Sequence, residues 1–497
     1  MRTDQVGAAE LQQVTAKCRT GRKRRRRNVN ISEVCSDFSQ NTSLHGLKYI
    51  NEKGLSIVER IFWLVTIAVS VACCSYLIRN VFAKWWDSPV IVAFNKEMVH
   101  VGSVPFPSIT ICPNWSILKE QYNYTDVAMK LTNPYSKSNI STAEREEFED
   151  ISMICDTTYF MLDFSVRKGN ATVVHNIIKY SPKLWGTVFE QESTLQGSGN
   201  YGFEEVLTEE GVCFTFNTLS QDEILKNTSI QTQYNYLNST EHSRGWTMEE
   251  GYEGGLFFNE TYPQRAAIFL HNPADLPHSS VHSYAALPRQ LSSLALTFHS
   301  LSTSHNLRKY HPEVRQCYFQ NERFLRYFHI YTQNNCMLEC RANYTFHRCG
   351  CVPFYLPYKN SDSICTASDS FCITEAIQHL GEREMRASLG LESEACRCLP
   401  ACNSVTYEAE ILKTEYNIKN YVKNYDRLHN ESFSEEYDSL EFSAIEVYYK
   451  QERFPSIRRS ELFGVTDVVA NCGGLLGLFL GFSFLSIVEI VYFTTLR

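Results

Sequence analysis

Residues 468–493, VVANCGGLLGLFLGFSFLSIVEIVYF, form an apolar stretch that contains a single charged residue, Glu489. About 20 apolar residues are enough to cross a bilayer as a helix. Gly473, Gly477 and Gly481 recur at every fourth position, which leaves one face of such a helix with very small side chains. This pattern is typical of transmembrane helices that pack closely against one another. By itself it predicts a membrane helix within an oligomer.

Polar residues distinguish this stretch from a simple anchor. Asn471 lies inside it, Ser483 follows Gly481 closely, and Glu489 lies near its carboxyl end. Ionisable groups in a membrane are costly unless they face water or a partner. Glycine allows a helix to break, and broken backbone is tolerated there only where it lines a cavity or is buried in protein. In a pore formed by several chains, exposed carbonyls would replace part of an ion's hydration shell. A ring of carboxylates would attract cations, either from Asp467 at the outer mouth of the pore or from Glu489 at the inner mouth.

A second apolar stretch, residues 61–78 (IFWLVTIAVSVACCSYLI), contains no charge and lies between Arg60 and Arg79. It begins too far from Met1 for an ordinary cleaved signal peptide, so we expect an uncleaved signal anchor. The mean hydropathy of -0.27 is compatible with one or two spans but excludes a polytopic membrane protein.

The amino-terminal region is basic, with six consecutive Lys or Arg residues at positions 22–27. Residues 1–60 carry 12 Lys or Arg against 6 Asp or Glu, whereas the whole chain has a net charge of -8, so the segment between the spans is acidic. The basic run could bind nucleic acid or direct nuclear import. A solvated cytosolic arm is the simpler interpretation, because a span follows it and basic residues favour the cytosolic side. We therefore expect cytosolic termini and no nucleic-acid partner.

The segment between the spans contains 13 cysteines, of which ten lie between residues 317 and 402. Their C-x3-C and C-x-C spacings suit either metal ligands or disulfides. Extracellular thiols oxidise, so we favour disulfides and expect no metal. Because 13 is odd, one cysteine must be unpaired or bound to another chain. Nine sequons suit a glycosylated exterior: Asn114, Asn123, Asn139, Asn170, Asn227, Asn238, Asn259, Asn343 and Asn430.

Common enzyme signatures are missing from the chain. We find no H-E-x-x-H, no G-x-S-x-G and no phosphate-binding G-x4-G-K-S/T. One G-x-G-x-x-G begins at Gly197, but no buried strand precedes it, so a surface loop is the better interpretation. We expect neither an enzyme nor a cofactor.

Five motifs resemble the epithelial sodium channel, degenerin and acid-sensing channel superfamily, and most closely its insect pickpocket branch. The resemblance covers nearly the whole chain, and the motifs occur in the family's order. They are Leu44-His45-Gly46, FPSITIC at 106–112, RQCYFQNE at 315–322, CMLECRANYTFHRCGCVPFYLP at 336–357 and GGLLGLFLGFSFLSIVE at 473–489.

The resemblance implies a membrane protein with two transmembrane helices that flank a large, disulfide-rich α+β extracellular domain, assembled as a trimeric channel. The corresponding boundaries are a cytosolic region at 1–56, a first helix at 57–79, an extracellular domain at 80–460, a second helix with the pore at 461–491 and a tail at 492–497. Membrane lipid and related subunits, in a homo- or heterotrimer, are the expected partners. The expected location is the plasma membrane.

The resemblance also implies roles for individual residues. Gly481, Phe482 and Ser483 match the family's G-x-S selectivity filter, which favours sodium as the permeant ion. Ala470 matches the degenerin position, where bulky side chains hold the pore open. Gly477 matches the position at which amiloride-type blockers act. The cytosolic gating pair corresponds to His45 and Gly46.

For the cysteines, the resemblance implies six disulfides and leaves Cys155 single. The pairs are Cys112 with Cys213, Cys317 with Cys402, Cys336 with Cys398, Cys340 with Cys396, Cys349 with Cys372, and Cys351 with Cys365. Such a ladder would form a stiff rod able to transmit movement to the pore.

One departure from the family pattern concerns acid. Acid-sensing members carry Asp directly after the degenerin position, whereas this chain has Asn471, which argues against direct proton gating.

The sequence thus predicts an amiloride-sensitive, sodium-selective channel subunit gated through its extracellular domain. Alternatives are an obligate regulatory subunit of a heteromeric channel, a non-conducting two-span receptor and an ATP-gated channel. The acidic exterior argues against a binding site for a triphosphate. A simple anchor would have no use for Glu489 or for the glycine break.

Overall fold

The structure, a computed structural model, describes most of the chain after residue 37. The described residues are 38–50, 52, 54–87, 90–113, 116–132, 140–155, 164–182, 186–191, 203–226, 255–260, 266–278, 283–359, 361–393, 396–416 and 443–495. The basic run at 22–27, the glycine motif at 197–202 and five sequons lie outside this part: Asn114, Asn139, Asn227, Asn238 and Asn430.

The chain divides into two compact units, which we describe separately. A membrane unit comprises Met1–Pro89 and Leu462–Arg497, and an extracellular unit comprises Val90–Glu461. The helices are α1 (Leu47–Ile50), α2 (Ile57–Asp87), α3 (Tyr124–Thr132), α4 (Thr142–Ser152), α5 (Ala171–Lys179), α6 (Gln221–Ile224), α7 (Pro312–Arg315), α8 (Gln333–Cys349), α9 (Ser370–Ser388), α10 (Val465–Leu480) and α11 (Phe484–Thr495). The strands are β1 (Val90–His100), β2 (Ser108–Pro113), β3 (Gly186–Gln191), β4 (Glu204–Thr208), β5 (Gly211–Phe216), β6 (Gly255–Glu260), β7 (Ala266–His271), β8 (Ser283–Ala286), β9 (Gln290–Thr303), β10 (Ser404–Glu415), β11 (Ser443–Tyr449) and β12 (Arg453–Glu461).

In the membrane unit, α2 is long and apolar enough to cross a bilayer as one helix. It is longer than the expected span at 57–79, because residues 80–87 contain no proline or glycine and the chain reaches proline only at position 89. Helices α10 and α11 meet the same criterion only as a pair, with a bend of 70° between them. The expected second helix starts at 461, whereas β12 continues to Glu461 and α10 begins at Val465.

The described part of the extracellular unit contains two sheets. The larger has the order β1-β12-β9-β11-β6-β3, and β10 pairs with β9. The smaller has the order β4-β5-β2-β7-β8. Alternate residues of β9, Leu294, Leu296 and Phe298, are at most 1% exposed and share a core with Ile109 and Ile111 of β2. Period-two alternation thus turns one face of β9 toward the smaller sheet.

Helices α8 and α9 form a cysteine-rich region beside the sheets. Thr332 caps the start of α8 by accepting the amide of Asn335 at 3.1 Å, and Gly350 ends the helix at φ +76°. Two cysteines four residues apart share one face of α8, and each joins a cysteine of the C-x-C segment at 396–398. Cys349 joins α8 to Cys372 of α9.

Six disulfides occur in the described residues, and they are the six pairs that the resemblance implies. They are Cys112–Cys213, Cys317–Cys402, Cys336–Cys398, Cys340–Cys396, Cys349–Cys372 and Cys351–Cys365. Cys155 has no disulfide partner among the described residues. Burial raises the pKa of its thiol to about 12, so it stays protonated at neutral pH.

Candidate functional site

The second apolar segment breaks at the residues expected to form the filter. Helix α10 ends at Leu480, and Gly481 adopts a left-handed conformation with φ 65° and ψ 21°. Its amide donates to the carbonyl of Gly477 at 3.0 Å, and the amide of Phe482 donates to Leu476 at 3.2 Å. These bonds close the helix end in the usual manner of a left-handed glycine cap. Residues 481–483 are therefore non-helical, as the glycine-rich sequence allows.

His45 packs directly on this break. Its amide donates to the carbonyl of Leu480 at 3.1 Å. A Cβ atom at Gly481 would lie only 2.6 Å from Nδ1 of His45, closer than non-bonded atoms approach. The histidine ring thus occupies the space that any other residue at position 481 would require.

The carboxylate of Glu489 holds the chain just before His45. Its Oε2 accepts from the Ser43 amide at 3.0 Å, from the Ser43 hydroxyl at 3.2 Å and from Thr42 at 3.4 Å. Ser486, on the same helix, bonds to Ser43 at 2.8 Å and accepts from the amide of Ser483 at 3.1 Å. The intramembrane carboxylate therefore has the polar partners that its position demands.

Gly46 connects the same segment to the first span. It has φ +86°, and a Cβ atom there would lie 3.2 Å from Ile67 and 3.7 Å from Trp63 of α2. Tyr49 stacks on Trp63 with ring centroids 4.5 Å apart. The His-Gly pair therefore contacts both apolar segments of this unit: His45 packs on the break after α10, and Gly46 packs on α2.

The outer half of α10 carries the other expected site residues. Ala470 and Asn471 are exposed. The side-chain amide of Asn471 donates from Nδ2 to the backbone carbonyl of Asp467 at 2.8 Å. The Asp467 carboxylate accepts the amide of Gly464 at 2.9 Å, so it caps the helix as well as carrying charge. A Cβ atom at Gly477 would lie 3.8 Å from the carbonyl of Phe482.

The structure thus brings together one group of the expected residues and separates another. His45, Gly481, Ser483 and Glu489 share one contact network, whereas Ala470 lies about 16 Å farther along the helix at 1.5 Å per residue. Sequence reasoning missed Thr42, Ser43 and Ser486. A carboxylate within an apolar segment requires hydroxyl or amide donors. The hydroxyl residues Thr42 and Ser43, just before the His-Gly pair, could therefore have been proposed as partners of Glu489.

In the extracellular unit, a buried arginine organises the base of the disulfide ladder. Arg315 is 1% exposed and donates to the carbonyls of Tyr310 at 2.8 Å and Cys317 at 3.1 Å. It also forms an ion pair with Glu322. The loop thus fixed starts at Ser304 and ends at the Cys317–Cys402 disulfide.

The same loop is tied to β12. Lys309 forms a 2.6 Å ion pair with Glu461, the Ser304 amide donates to the carbonyl of Arg459 at 2.8 Å, and Arg459 donates to Gln316 at 3.4 Å. Glu461 is the last residue of β12, and the chain enters α10 after three more residues. The disulfide ladder is therefore linked through this loop to the strand that precedes the second membrane segment.

Four expected glycosylation sites lie in the described residues. Asn123 and Asn170 are exposed, Asn343 is half-buried on α8, and Asn259 lies on β6. Asn170 also caps α5 by accepting the amide of Thr172 at 2.9 Å.

A family model described as "Amiloride-sensitive sodium channel" matches residues 38–493. Pickpocket protein 28 of Drosophila melanogaster is 28% identical over 495 residues, which cover 93% of this chain and 78% of that protein. Sodium channel protein Nach of the same species is 23% identical and covers 93% of this chain and 87% of its own length. The bile acid-sensitive ion channel of Mus musculus is also 23% identical, covering 92% of this chain and 87% of its own.

These matches extend across the broken helix, the His-Gly segment and the disulfide ladder. They confirm the resemblance drawn from the sequence motifs. The chain belongs to the amiloride-sensitive sodium channel family and is an ion-channel subunit rather than an enzyme.

Proposed function

We propose that this chain is a pore-forming subunit of a sodium-selective, amiloride-sensitive trimeric channel of the plasma membrane. Both termini are cytosolic, and the extracellular unit controls opening. The observation that carries the proposal is the break at residues 481–483, because it places non-helical backbone within an apolar segment. Such backbone is tolerated at membrane depth where it lines a cavity or is buried in protein.

Selectivity arises at this break. Residues that leave the helix free carbonyls from their intrahelical bonds, and carbonyls from three chains would replace part of the hydration shell of sodium. His45 supports the break from the cytosolic side by filling the space beside Gly481. Glu489 fixes this support through Ser43 and adds negative charge that favours cations.

Gating takes place in the outer half of α10, around Ala470. A stimulus on the extracellular unit moves the disulfide ladder, and the loop at 304–317 passes that movement to β12 and so to α10. Small residues at Ala470, Gly473 and Gly477 let three helices approach closely in the closed pore. A bulky side chain at position 470 would separate these helices. Amiloride acts near Gly477, between this gate and the filter.

The trimer is supported by the incomplete packing of the membrane unit. Only 6% of the apolar part of α2 is buried within the single chain. A Cβ atom at Gly473 or Gly474 would meet nothing within 4 Å, so this glycine face is open in the single chain. Neighbouring subunits and lipid would cover these surfaces.

The test is expression of the Ala470→Val variant with whole-cell recording and surface cross-linking. We expect trimers at the surface and a constitutive current about tenfold above wild type, which amiloride blocks. Val469→Ile enlarges the adjacent side chain on a different face of α10 and is the matched control; its current should equal that of wild type. Monomers at the surface would refute the proposal, as would trimers of Ala470→Val that conduct neither alone nor with a related subunit.

A further inference from the structure

The cysteine-rich region contains a cavity of about 530 Å³ that the proposed function does not use. It lies between α8, α9 and the C-x-C segment at 396–398. Three arginines line it, Arg323, Arg383 and Arg397, together with His347, Tyr344 and Glu339. The extracellular segment is acidic overall, whereas the described lining of this cavity contains three arginines and one carboxylate.

The positive charge of the cavity exceeds its negative charge. Among the described residues that line it, Glu339 is the one carboxylate, and it accepts the amides of Arg326 at 2.7 Å and Tyr327 at 3.0 Å. Arg383 has only a 3.9 Å ion pair with Glu392. Arg323 donates to a neutral carbonyl, that of Cys396, at 3.3 Å.

Arg397 is solvent-exposed at the cavity. Within the part of the chain that the structure describes, its guanidinium has no hydrogen bond and no ion pair. Three arginines line the same cavity, so an anion bound there would be attracted to all three positive charges.

The backbone of Arg397 is also strained. Its φ is +49°, a left-handed conformation that costs a non-glycine residue about 1–2 kcal/mol. Cys396 and Cys398 on either side are both cross-linked to α8, which holds the residue in place. Glycine would fit this conformation without cost. Strain of this kind, kept in an over-determined position, points to a functional side chain.

We propose that this cavity binds a small organic anion that carries a carboxylate or sulfate group. Arg397, Arg323 and Arg383 would hold the anionic group, since guanidinium forks match the geometry of such oxygens. The ring of Tyr344 and the side chain of Leu325 would contact the apolar part of the ligand. A bound anion would join α8, α9 and the 396–398 segment, and would thereby stiffen the disulfide ladder.

The test measures binding to the purified full-length protein in lipid nanodiscs, independently of any current. Sodium benzoate and sodium sulfate are titrated at an ionic strength kept constant with sodium chloride, and the unfolding temperature is recorded. We expect at least one of them to stabilise the wild type. In Arg397→Gly the apparent affinity should fall about tenfold or more, a loss of about 1.4 kcal/mol, whereas Arg397→Lys should retain most of it.

The stability of Arg397→Gly without ligand shows whether a loss of anion binding in this variant is caused by misfolding. Without ligand, Arg397→Gly should unfold at the same temperature as the wild type or higher, because glycine relieves the strain. Arg289 has a similar φ of 60° in the turn before β9 and lies outside the cavity. Arg289→Gly is therefore the matched control, and its anion binding should equal that of the wild type.

Three outcomes would overturn the proposal. The first is that neither anion stabilises the wild type more than chloride does. The second is equal stabilisation of wild type and Arg397→Gly, which is the result expected from the general effect of sulfate on protein surfaces. The third is binding that appears only in Asn343→Gln, because a glycan on this cavity-lining residue would then occupy the space in the mature protein.

Discussion

Gly481 has two independent reasons to lack a side chain. Its φ of +65° is strained for any other residue, and a Cβ atom would lie 2.6 Å from His45. The first reason belongs to the turn that breaks the helix. The second belongs to the segment around His45, which packs against the turn. Family resemblance identified both residues, but only the structure places them in contact.

We expect Gly481→Ala to reach the surface and to lose most of its current or its preference for sodium. The substitution costs about 1–2 kcal/mol in backbone strain and also displaces the His45 ring. Recording in the Ala470→Val background, with reversal potentials, measures both effects. The double variant with His45→Ala removes the clash but keeps the strain, so it should recover part of the loss. Unchanged current and selectivity in Gly481→Ala would contradict the assigned contact.

At the scale of elements, the start of α8 is held by the loop that follows β7. Asn335, which is fully buried, donates to the carbonyl of Ala274 at 2.8 Å and accepts the amide of Leu276 at 3.1 Å. Thr332 caps the helix and also hydrogen-bonds to Asp275. Among the described residues, the buried Oδ1 atom of Asp275 has no hydrogen-bond partner, and burial raises the pKa of this carboxyl group to about 6.

We expect Asp275→Asn to stabilise the protein by about 1–3 kcal/mol at pH 7.5. Because the pKa of Asp275 is higher in the folded state than in the unfolded state, the folded protein binds more protons between these two pKa values. The ionised carboxylate therefore lowers the free energy of unfolding fully above about pH 6, and this destabilisation disappears toward pH 4. The amide keeps an acceptor for Thr332. Thermal unfolding of variant and wild type from pH 4 to 7.5 measures the difference. If Asp275→Asn were more stable than the wild type by the same amount at pH 4 and at pH 7.5, the charge of Asp275 would not be the cause of the stabilisation.

Comparison with the wild type is needed because other groups titrate nearby. Burial lowers the pKa of His271 and of His278 to about 4, so acid destabilises the folded state through both. Nδ1 of His271 donates to the carbonyl of Asn272 at 3.0 Å, so Nε2 of the neutral ring accepts from the Thr110 hydroxyl at 2.7 Å. These contributions are common to both proteins and cancel in the difference.

The elements that could be predicted from sequence are those with local signals. The apolar run at 61–78 and the glycines at 473–481 predicted a first span and a breakable second segment. The apolar run does not predict where the first helix ends, because α2 continues through polar residues as far as Asp87. The sheets gave no such signal, since β2 pairs with β5 and β7 more than 100 residues away. Long-range pairing of this kind leaves little trace in local sequence.

At the scale of the whole molecule, the chain combines an extracellular unit with a well-packed core and a membrane unit whose apolar helices are largely exposed. The buried Arg315 and the Lys309–Glu461 ion pair connect the disulfide ladder to β12, and the chain leads from there into α10. Their roles could not be foreseen, because the RQCYFQNE motif shows the residue types but not the four carbonyls that Arg315 binds. In the proposed gating, these contacts would pass movement of the disulfide ladder to β12 and so along the chain to α10.

The most direct test of sodium conduction through the break at 481–483 is the reversal potential of the Ala470→Val current when external sodium is replaced by potassium. We expect a shift of tens of millivolts toward negative potentials, because potassium would be poorly admitted by the filter. The same exchange in the Gly481→Ala background should produce a smaller shift. An Ala470→Val current with an unchanged reversal potential would contradict the proposed sodium selectivity, and an equal shift in both variants would contradict the role of Gly481.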